Sequence, residues 1–307
     1  VIFNEIKNTS MKILYVLFGF FIILNYGLLQ TGFIRRITAR VGKRIGVPFY
    51  QPYIDLIKNY AMRSQFSHGV MFYLGPVFRL SGGLGIFLFM PLIYGNEMFS
   101  NFSMSGDLIL ILYFMFIGML GMALGAGEGG HPYSIIGITR GLSQFTTVEI
   151  PMTLAVISIA AQYQTLSISE IVAAQQGGIM NWTIMTNPLA SGAAMLSFLG
   201  MMMYAPFNVV NAPQENPLGP PTEFHGTFLG MLQTNRVILH VVESILFMNL
   251  FFGGATNWLE LIVKSFLIYF YAVFIGAVFP RFRIDQSIKW FLFVPTILGI
   301  LAVIFIA

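Results

Sequence analysis

Three ionisable residues, Arg236, His240 and Glu243, stand at i, i+4 and i+7 in one apolar stretch, which on a helix is a single stripe of one face. A guanidinium, an imidazole and a carboxylate in that register can relay a proton. They can equally act as a static ladder that ties helices together. A second candidate, Glu149, lies mid-way along another apolar run, two residues before Pro151. Proline has no amide hydrogen, so the helix is expected to bend beside the carboxyl and admit water, and a wetted carboxyl can load and release protons. The bland alternative is a structural pairing of Glu149 with a base on another helix. Arg140 precedes it by nine residues, about half a turn out of phase, so the two are not expected to pair directly. Lys264 lies near the end of its run and is expected to snorkel toward the interface.

Ionisable side chains of this kind matter because of where the composition puts them. Of the 307 residues, 56% are hydrophobic and 9% charged, against roughly 25% charged in a soluble domain. So few charges cannot wet a soluble surface, and the excess apolar area must face lipid. Apolar runs near 12–34, 70–94, 107–125, 134–161, 188–207, 237–256, 258–279 and 289–307 approach the ~20 residues a bilayer-spanning helix needs. They predict an all-α integral membrane protein of about eight transmembrane helices, forming one domain over 1–307. The first run has no small-residue cleavage site behind it and reads as a retained helix. The chain has no cysteine, so it cannot by itself hold a thiolate metal site or an iron–sulfur cluster. Its four histidines, His68, His131, His225 and His240, are scattered without ligand spacing, so no protein-held metal is expected.

Charge placement orders the loops. Arg35, Arg36, Arg40, Lys43, Arg44, Lys58 and Arg63 crowd the first loop against one acid, Asp55, which puts that loop in the cytoplasm. Alternation agrees: 95–106 and 162–187 hold no Lys or Arg and fall outside, whereas 280–288 holds Arg281 and Arg283 and falls inside. Both termini are then expected outside. Within the first loop, Pro48 to Arg63 predicts a short interfacial helix, either a plain surface anchor or a docking element, with Asp55 and Asn59 on one face. The segment 208–235, rich in proline and carrying Glu215 and Glu223, reads as a stiff irregular loop. It is either a partner surface or a solvent-exposed connector. Glu128, in the turn Glu128-Gly129-Gly130-His131-Pro132, adds an acid to the same face. Gly82, Gly83, Gly85, Gly118 and Gly121 lack any phosphate-binding context and predict close helix packing.

Four segments together resemble a known family, the connector membrane subunit shared by respiratory complex I (NADH dehydrogenase subunit 1) and the energy-converting, membrane-bound nickel–iron hydrogenases. The most specific runs from Ala39 through Arg40, Gly46, Pro48, Gln51, Pro52 and Asp55 to Lys58, in the compact spacing of the hydrogenase branch. The second runs from His131 and Pro132 through Arg140 to Glu149 and Pro151. The third runs from Pro206 and Phe207 to Glu215, Gly219 and Glu223. The fourth ends in Gly253-Gly254. In the third segment Asn208, Asn211 and Pro213 stand where the family's loop carries acids, and this disfavours quinone reduction. Arg236 also falls where the quinone-reducing branch tends to carry Glu.

The resemblance implies a subunit with no redox centre of its own. Iron–sulfur clusters, and in the hydrogenase branch a nickel–iron centre, sit in partner subunits. The chain would dock the iron–sulfur and large subunits of a peripheral arm through Arg40, Arg44, Gln51, Asp55 and Lys58. It would couple their electron transfer to proton or sodium movement through antiporter-like membrane subunits. Glu128, Arg140, Glu149, Glu215, Glu223, Arg236, His240 and Glu243 are the candidate coupling residues. A sulfur-reducing complex on the same membrane module fits equally well. The alternatives are a quinone-site subunit of a complex I-type enzyme and an autonomous carrier, although carriers commonly show inverted repeats and none is visible here. The expected partners are these subunits and the lipid of the cell membrane, and nothing points to nucleic acid.

Overall fold

The computed structural model describes residues 2–64, 68–210 and 219–306, with side chains from Ser10 onward. The elements in chain order are α1 (Ile2–Val41), α2 (Gln51–Ala61), α3 (Val70–Phe89), α4 (Asp107–Gly127), α5 (Pro132–Tyr163), α6 (Ile168–Ala174), α7 (Thr183–Thr186), α8 (Pro188–Met201), α9 (Gly226–Phe251), α10 (Trp258–Val278) and α11 (Ile284–Ile306), with short 3-10 turns between some of them. No strand occurs among the described residues. The protein is an all-α membrane protein.

Each of the eight expected runs lies on a helix, but not all are alike. Six helices, α1, α3, α4, α5, α10 and α11, are long and apolar enough to cross a bilayer. The run expected over 188–207 is helical for only 14 residues in α8, fewer than the ~20 that span a hydrocarbon core. Its N-terminus is set by Pro188 in the first turn and by Asn187, whose side chain accepts a hydrogen bond from Ala190 N.

Helix α9 is the exception that organises the rest. It starts at Gly226, well before the expected 237, so the irregular loop ends at His225. Thr227, Gln233, Thr234, Asn235 and Arg236 hide this first part from an apolar-run criterion. They are carried on a helix because Leu232 packs with Phe72, Ala126 and Phe224 in a small cluster of its own. From Val237 to Phe251 nearly every side chain is buried, against α1, α2, α3 and α10. A helix stretch buried all round has no lipid face, so it can carry His240 and Glu243 where a lipid-facing helix cannot, while Arg236, just before it, is exposed. Lipid contact falls instead to side chains such as Phe21 and Leu17 on α1, Phe274 on α10 and Phe305 on α11, all exposed.

Helices α3 and α4 pack through glycine, as the sequence predicts. A Cβ on Gly75 would lie 2.4 Å from Gly125 Cα, and one on Gly82 would lie 2.6 Å from Gly118 Cα. The two backbones touch at points seven residues apart on both helices.

The connections gather at two ends. At one, Ser64 Oγ meets His225 O and Thr227 N, Phe72 N donates to Glu128, and Phe282 N donates to Pro206 O. At the other, Tyr94 N donates to Ala255 O, Leu108 N to Leu166 O, and Gln176 Nε2 to Gly253 O. Lys12 Nζ lies over the Phe102 ring, which places the N-terminal half of α1 at this second end. All the basic residues of the first loop and of 280–288 belong to the first end.

Candidate functional site: a row of cavities along α9

The stripe on α9 opens onto a cavity of about 130 Å³ in which Arg236, His240 and Glu243 all appear, together with Arg79 of α3 and Asn235. The cavity is roofed by Val210, Pro220 and Pro221 of the long loop. Glu243 is buried, at 7% exposure, yet among the described residues it has no ion pair or hydrogen bond in contact. Arg79 attracts it across the cavity without touching it.

Arg79 is held elsewhere. With its amide oriented to satisfy both groups, Asn235 accepts from Arg79 Nε at 3.2 Å and donates to Arg79 O at 2.9 Å. Arg79 Nη1 also points at Met119 Sδ, 3.8 Å away. Gly83 makes the Asn235 bridge feasible, because a Cβ there would lie 2.3 Å from the amide. Arg79 and Asn235 are not among the residues singled out from the sequence, although a lone arginine within the run 70–94 meets the same criterion as Glu149.

A second, larger cavity of about 710 Å³ lies on the loop side of α9, lined by Arg35, Asp55, Gln233, Tyr204, Arg236 and His240 among others. Arg236 and His240 therefore border both cavities. Beyond Glu243 a pocket of about 20 Å³, bordered by Arg79, Glu243, Met115, Phe145 and Met201, leads on. It adjoins one of about 10 Å³ bordered by the same Met115, Phe145 and Met201 and by Glu149. Both are on the scale of a single water molecule. The row therefore runs from the rim at Asp55 past His240 and Glu243 to Glu149.

Glu149 is half-buried on α5, and among the described residues it has no ion pair or hydrogen bond. The alternative of a structural pairing with a base finds no partner among them. Arg140 lies half-buried on the same helix. Glu223 faces His68 at 3.5 Å, leaving its Oε2 buried without a hydrogen-bond partner. Glu128 is exposed and accepts from Phe72 N at 2.5 Å, satisfying one of the free amides in the first turn of α3. Glu215 falls within 211–218, outside the described residues.

The expected interfacial helix is present as α2, with Pro52 in its first turn and Lys58 in its last. It is more than a surface anchor. Arg35 pairs with Asp55 at 3.0 Å, and Gln51 Nε2 donates to Asp55 at 2.9 Å. Asn59 Nδ2 donates to Gln233 at 2.7 Å, and Tyr60 and Thr234 hydroxyls meet at 3.1 Å. The helix is thus clamped between α1 and the start of α9, while Arg40, Arg44 and Lys58 stay exposed. Lys264 reaches the end of its helix as expected, and its head is held there by carbonyls and by Glu260, donating to Phe252 O at 2.9 Å and Gly254 O at 2.8 Å.

Comparison with known proteins fits this arrangement. The profile of the NADH dehydrogenase family matches residues 11–307. An NADH-quinone oxidoreductase subunit of Protochlamydia amoebophila is 30% identical over 281 residues, 85% of each chain. Another such subunit, from Rhodothermus marinus, is 25% identical, over 94% of each. A chain of the membrane-bound sulfane sulfur reductase, an archaeal respiratory membrane complex, superposes with a TM-score of 0.88 at 34% identity, covering 96% of this chain and 99% of that one. A polytopic helical bundle with a buried acid–base seam is here a membrane subunit of a complex I-like respiratory complex. The chain belongs to the NADH dehydrogenase subunit 1 family, which includes the matching subunits of bacterial NADH-quinone oxidoreductases.

Proposed function

We propose that this chain is the connector subunit of an ion-translocating redox complex of the membrane-bound hydrogenase or sulfur-reducing type. It docks an iron–sulfur peripheral arm at its basic end and passes the coupling to antiporter-like membrane subunits. The observation that carries this reading is the row of cavities along α9, with Glu243 and Glu149 both unpaired beside it. An unpaired acid inside a membrane protein is costly, and it is tolerated where charge must move. Arg40, Arg44 and Lys58 offer the arm a positive surface, beside Gln51 and Asp55. That basic end faces the cytoplasm of a cell-membrane protein, and both termini face out. The redox centres, iron–sulfur clusters and in a hydrogenase a nickel–iron site, belong to the partners. The asparagines at 208 and 211 and the full-length likeness to the sulfane sulfur reductase chain favour this branch over quinone reduction.

Affinity purification of the tagged chain from its native membrane tests the proposal. Iron–sulfur subunits should accompany it, and recovery of the chain alone would count against the docking role. The quinone-reducing reading keeps one specific support, because a cavity of about 710 Å³ lies in the size range of small-molecule sites. Inhibition of the purified complex by quinone analogues would favour it.

A further inference from the structure

Three aromatic side chains form a hydrogen-bonded row beside the two cavities that His240 borders. The Tyr204 and Tyr269 hydroxyls are 2.6 Å apart, and the Tyr269 hydroxyl lies 3.0 Å from His240 Nδ1. Tyr204 sits in the turn after α8 and borders the larger cavity, whereas Tyr269 is completely buried on α10. His240 borders both cavities. A buried phenol needs a hydrogen-bond partner, and one would suffice. Tyr269 has two; Tyr204 reaches the larger cavity, and His240 at the other end of the row reaches the inner cavity as well. Gly276 permits the approach: a Cβ there would lie 3.1 Å from Ala205 O and 3.3 Å from Tyr204 Cβ.

We propose that Tyr204, Tyr269 and His240 are a proton wire joining the larger cavity to the inner cavity that holds Glu243. A proton from the larger cavity binds the Tyr204 oxygen as that hydroxyl passes its own proton to Tyr269. Tyr269 passes its proton to Nδ1 of a neutral imidazole. The ring releases the proton on Nε2 to the inner cavity, where Glu243, one helical turn along the same face, takes it up. One proton enters and one leaves, and rotation of the hydroxyls and exchange of the ring tautomer reset the row. The charged groups around it are Arg236 at the partition, Arg79 and Glu243 on the inner side, and Arg35 with Asp55 on the outer side. The wire rests on the connector reading and names the route of the charge within it.

The test uses the native complex in inverted membrane vesicles, with Tyr269→Phe and His240→Gln. The first removes one hydroxyl and keeps the ring. The second keeps an acceptor for Tyr269 but cannot exchange protons between two nitrogens. Redox-driven proton uptake, measured with any sodium gradient collapsed, should fall at least tenfold in both variants, and the solvent isotope effect should change. Reduction of a soluble dye by the peripheral arm is the control for assembly. An assembled, dye-reducing complex whose Tyr269→Phe or His240→Gln form takes up protons within twofold of the parent overturns the wire and leaves the connector reading standing. A parent complex that moves sodium alone overturns it too. A chain that purifies without iron–sulfur partners overturns both.

Discussion

The C-terminal end of α9 and its middle bury polar groups for opposite reasons. At its C-terminal end the buried polar side chains Gln175 and Asn249 complete the backbone. Gln175 Nε2 donates to Asn249 O and Leu250 O at 3.0 and 3.1 Å, and its Oε1 accepts from Thr183 N at 3.2 Å and Gly253 N at 3.0 Å. Asn249 donates to Pro91 O at 2.8 Å, and Lys264 holds two further carbonyls while pairing with Glu260. These are the orphan carbonyls of a helix terminus met by amide and ammonium groups. Midway along the same helix Glu243 faces a cavity with no contact partner. One region spends its polar atoms on closure, and the other leaves a charge site open. Burial alone does not separate structure from chemistry, but satisfaction does.

The largest expected effect lies at the open site. Glu243→Gln should leave the complex assembled, because the amide is isosteric and no contact partner is abandoned. Redox-driven ion uptake in vesicles should fall about 100-fold, the scale on which positioned acid–base groups act. The thermal midpoint should stay close to that of the parent. A collapse of the midpoint instead would make Glu243 a structural group and dissolve the contrast with Gln175.

Next in size is Gln175→Ala, which strips two amide donors and two carbonyl acceptors of their partner in a buried place. With each orphaned group costing ~1–3 kcal/mol, a loss of about 3 kcal/mol after relaxation is expected. It should appear as a lower midpoint in detergent. Ion uptake by the fraction that remains folded should stay within twofold of the parent. A larger fall in uptake per folded complex would extend the coupling path to the C-terminal end of α9.

Gly82→Ala should cost roughly 1–3 kcal/mol, as overpacking does in a well-packed interior. Its Cβ would lie 2.6 Å from Gly118 Cα and 2.8 Å from Phe114 O, so α3 must move off α4. Because α3 also carries Arg79, the variant should weaken ion uptake as well as stability, unlike Gln175→Ala.

How much of the molecule is legible in its sequence follows from the range of each signal. The Arg236–His240–Glu243 stripe has the period of a helix, and the structure places all three residues on one cavity. The close packing at Gly82 and Gly118 and the interfacial helix are equally local, read from glycine-rich pieces and from an amphipathic pattern, although which helices pair is not. Arg79 is legible by the rule applied to Glu149, yet its long apolar run masks it. Tyr204 and Tyr269 carry no signal, because a tyrosine in a membrane helix is ordinary, and what sets these two apart is a meeting with His240 from distant elements. The early start of α9 is hidden because Gly226, Thr227, Gly230 and Thr234 are weak helix formers, held in helix by tertiary packing against α2 and α3. The loop 162–187 gives no warning that it contains α6 and seats Gln175 beneath the end of α9.

The smallest expected effect concerns the ion pair at the rim of the larger cavity. Arg35 and Asp55 meet at 3.0 Å, but their side chains are 49% and 38% exposed. Water screens such a pair, so Asp55→Asn should shift stability by less than about 1 kcal/mol. The amide can still accept from Gln51 and keep α2 seated, and Asn59 and Tyr60 continue to tie α2 to α9. What should change is association. On the docking role proposed above, removing this acid from the basic surface alters the charge presented to the peripheral arm. Retention of iron–sulfur subunits during purification should then depend on salt differently from the parent, since exposed charges act through a field that salt screens. An unchanged salt dependence, with a stability loss of more than about 2 kcal/mol, well above the range of an exposed pair, would assign Asp55 to the closed class, alongside Gln175. The opposite pattern places it at a docking surface, a third kind of polar site in which the satisfying partner belongs to another chain.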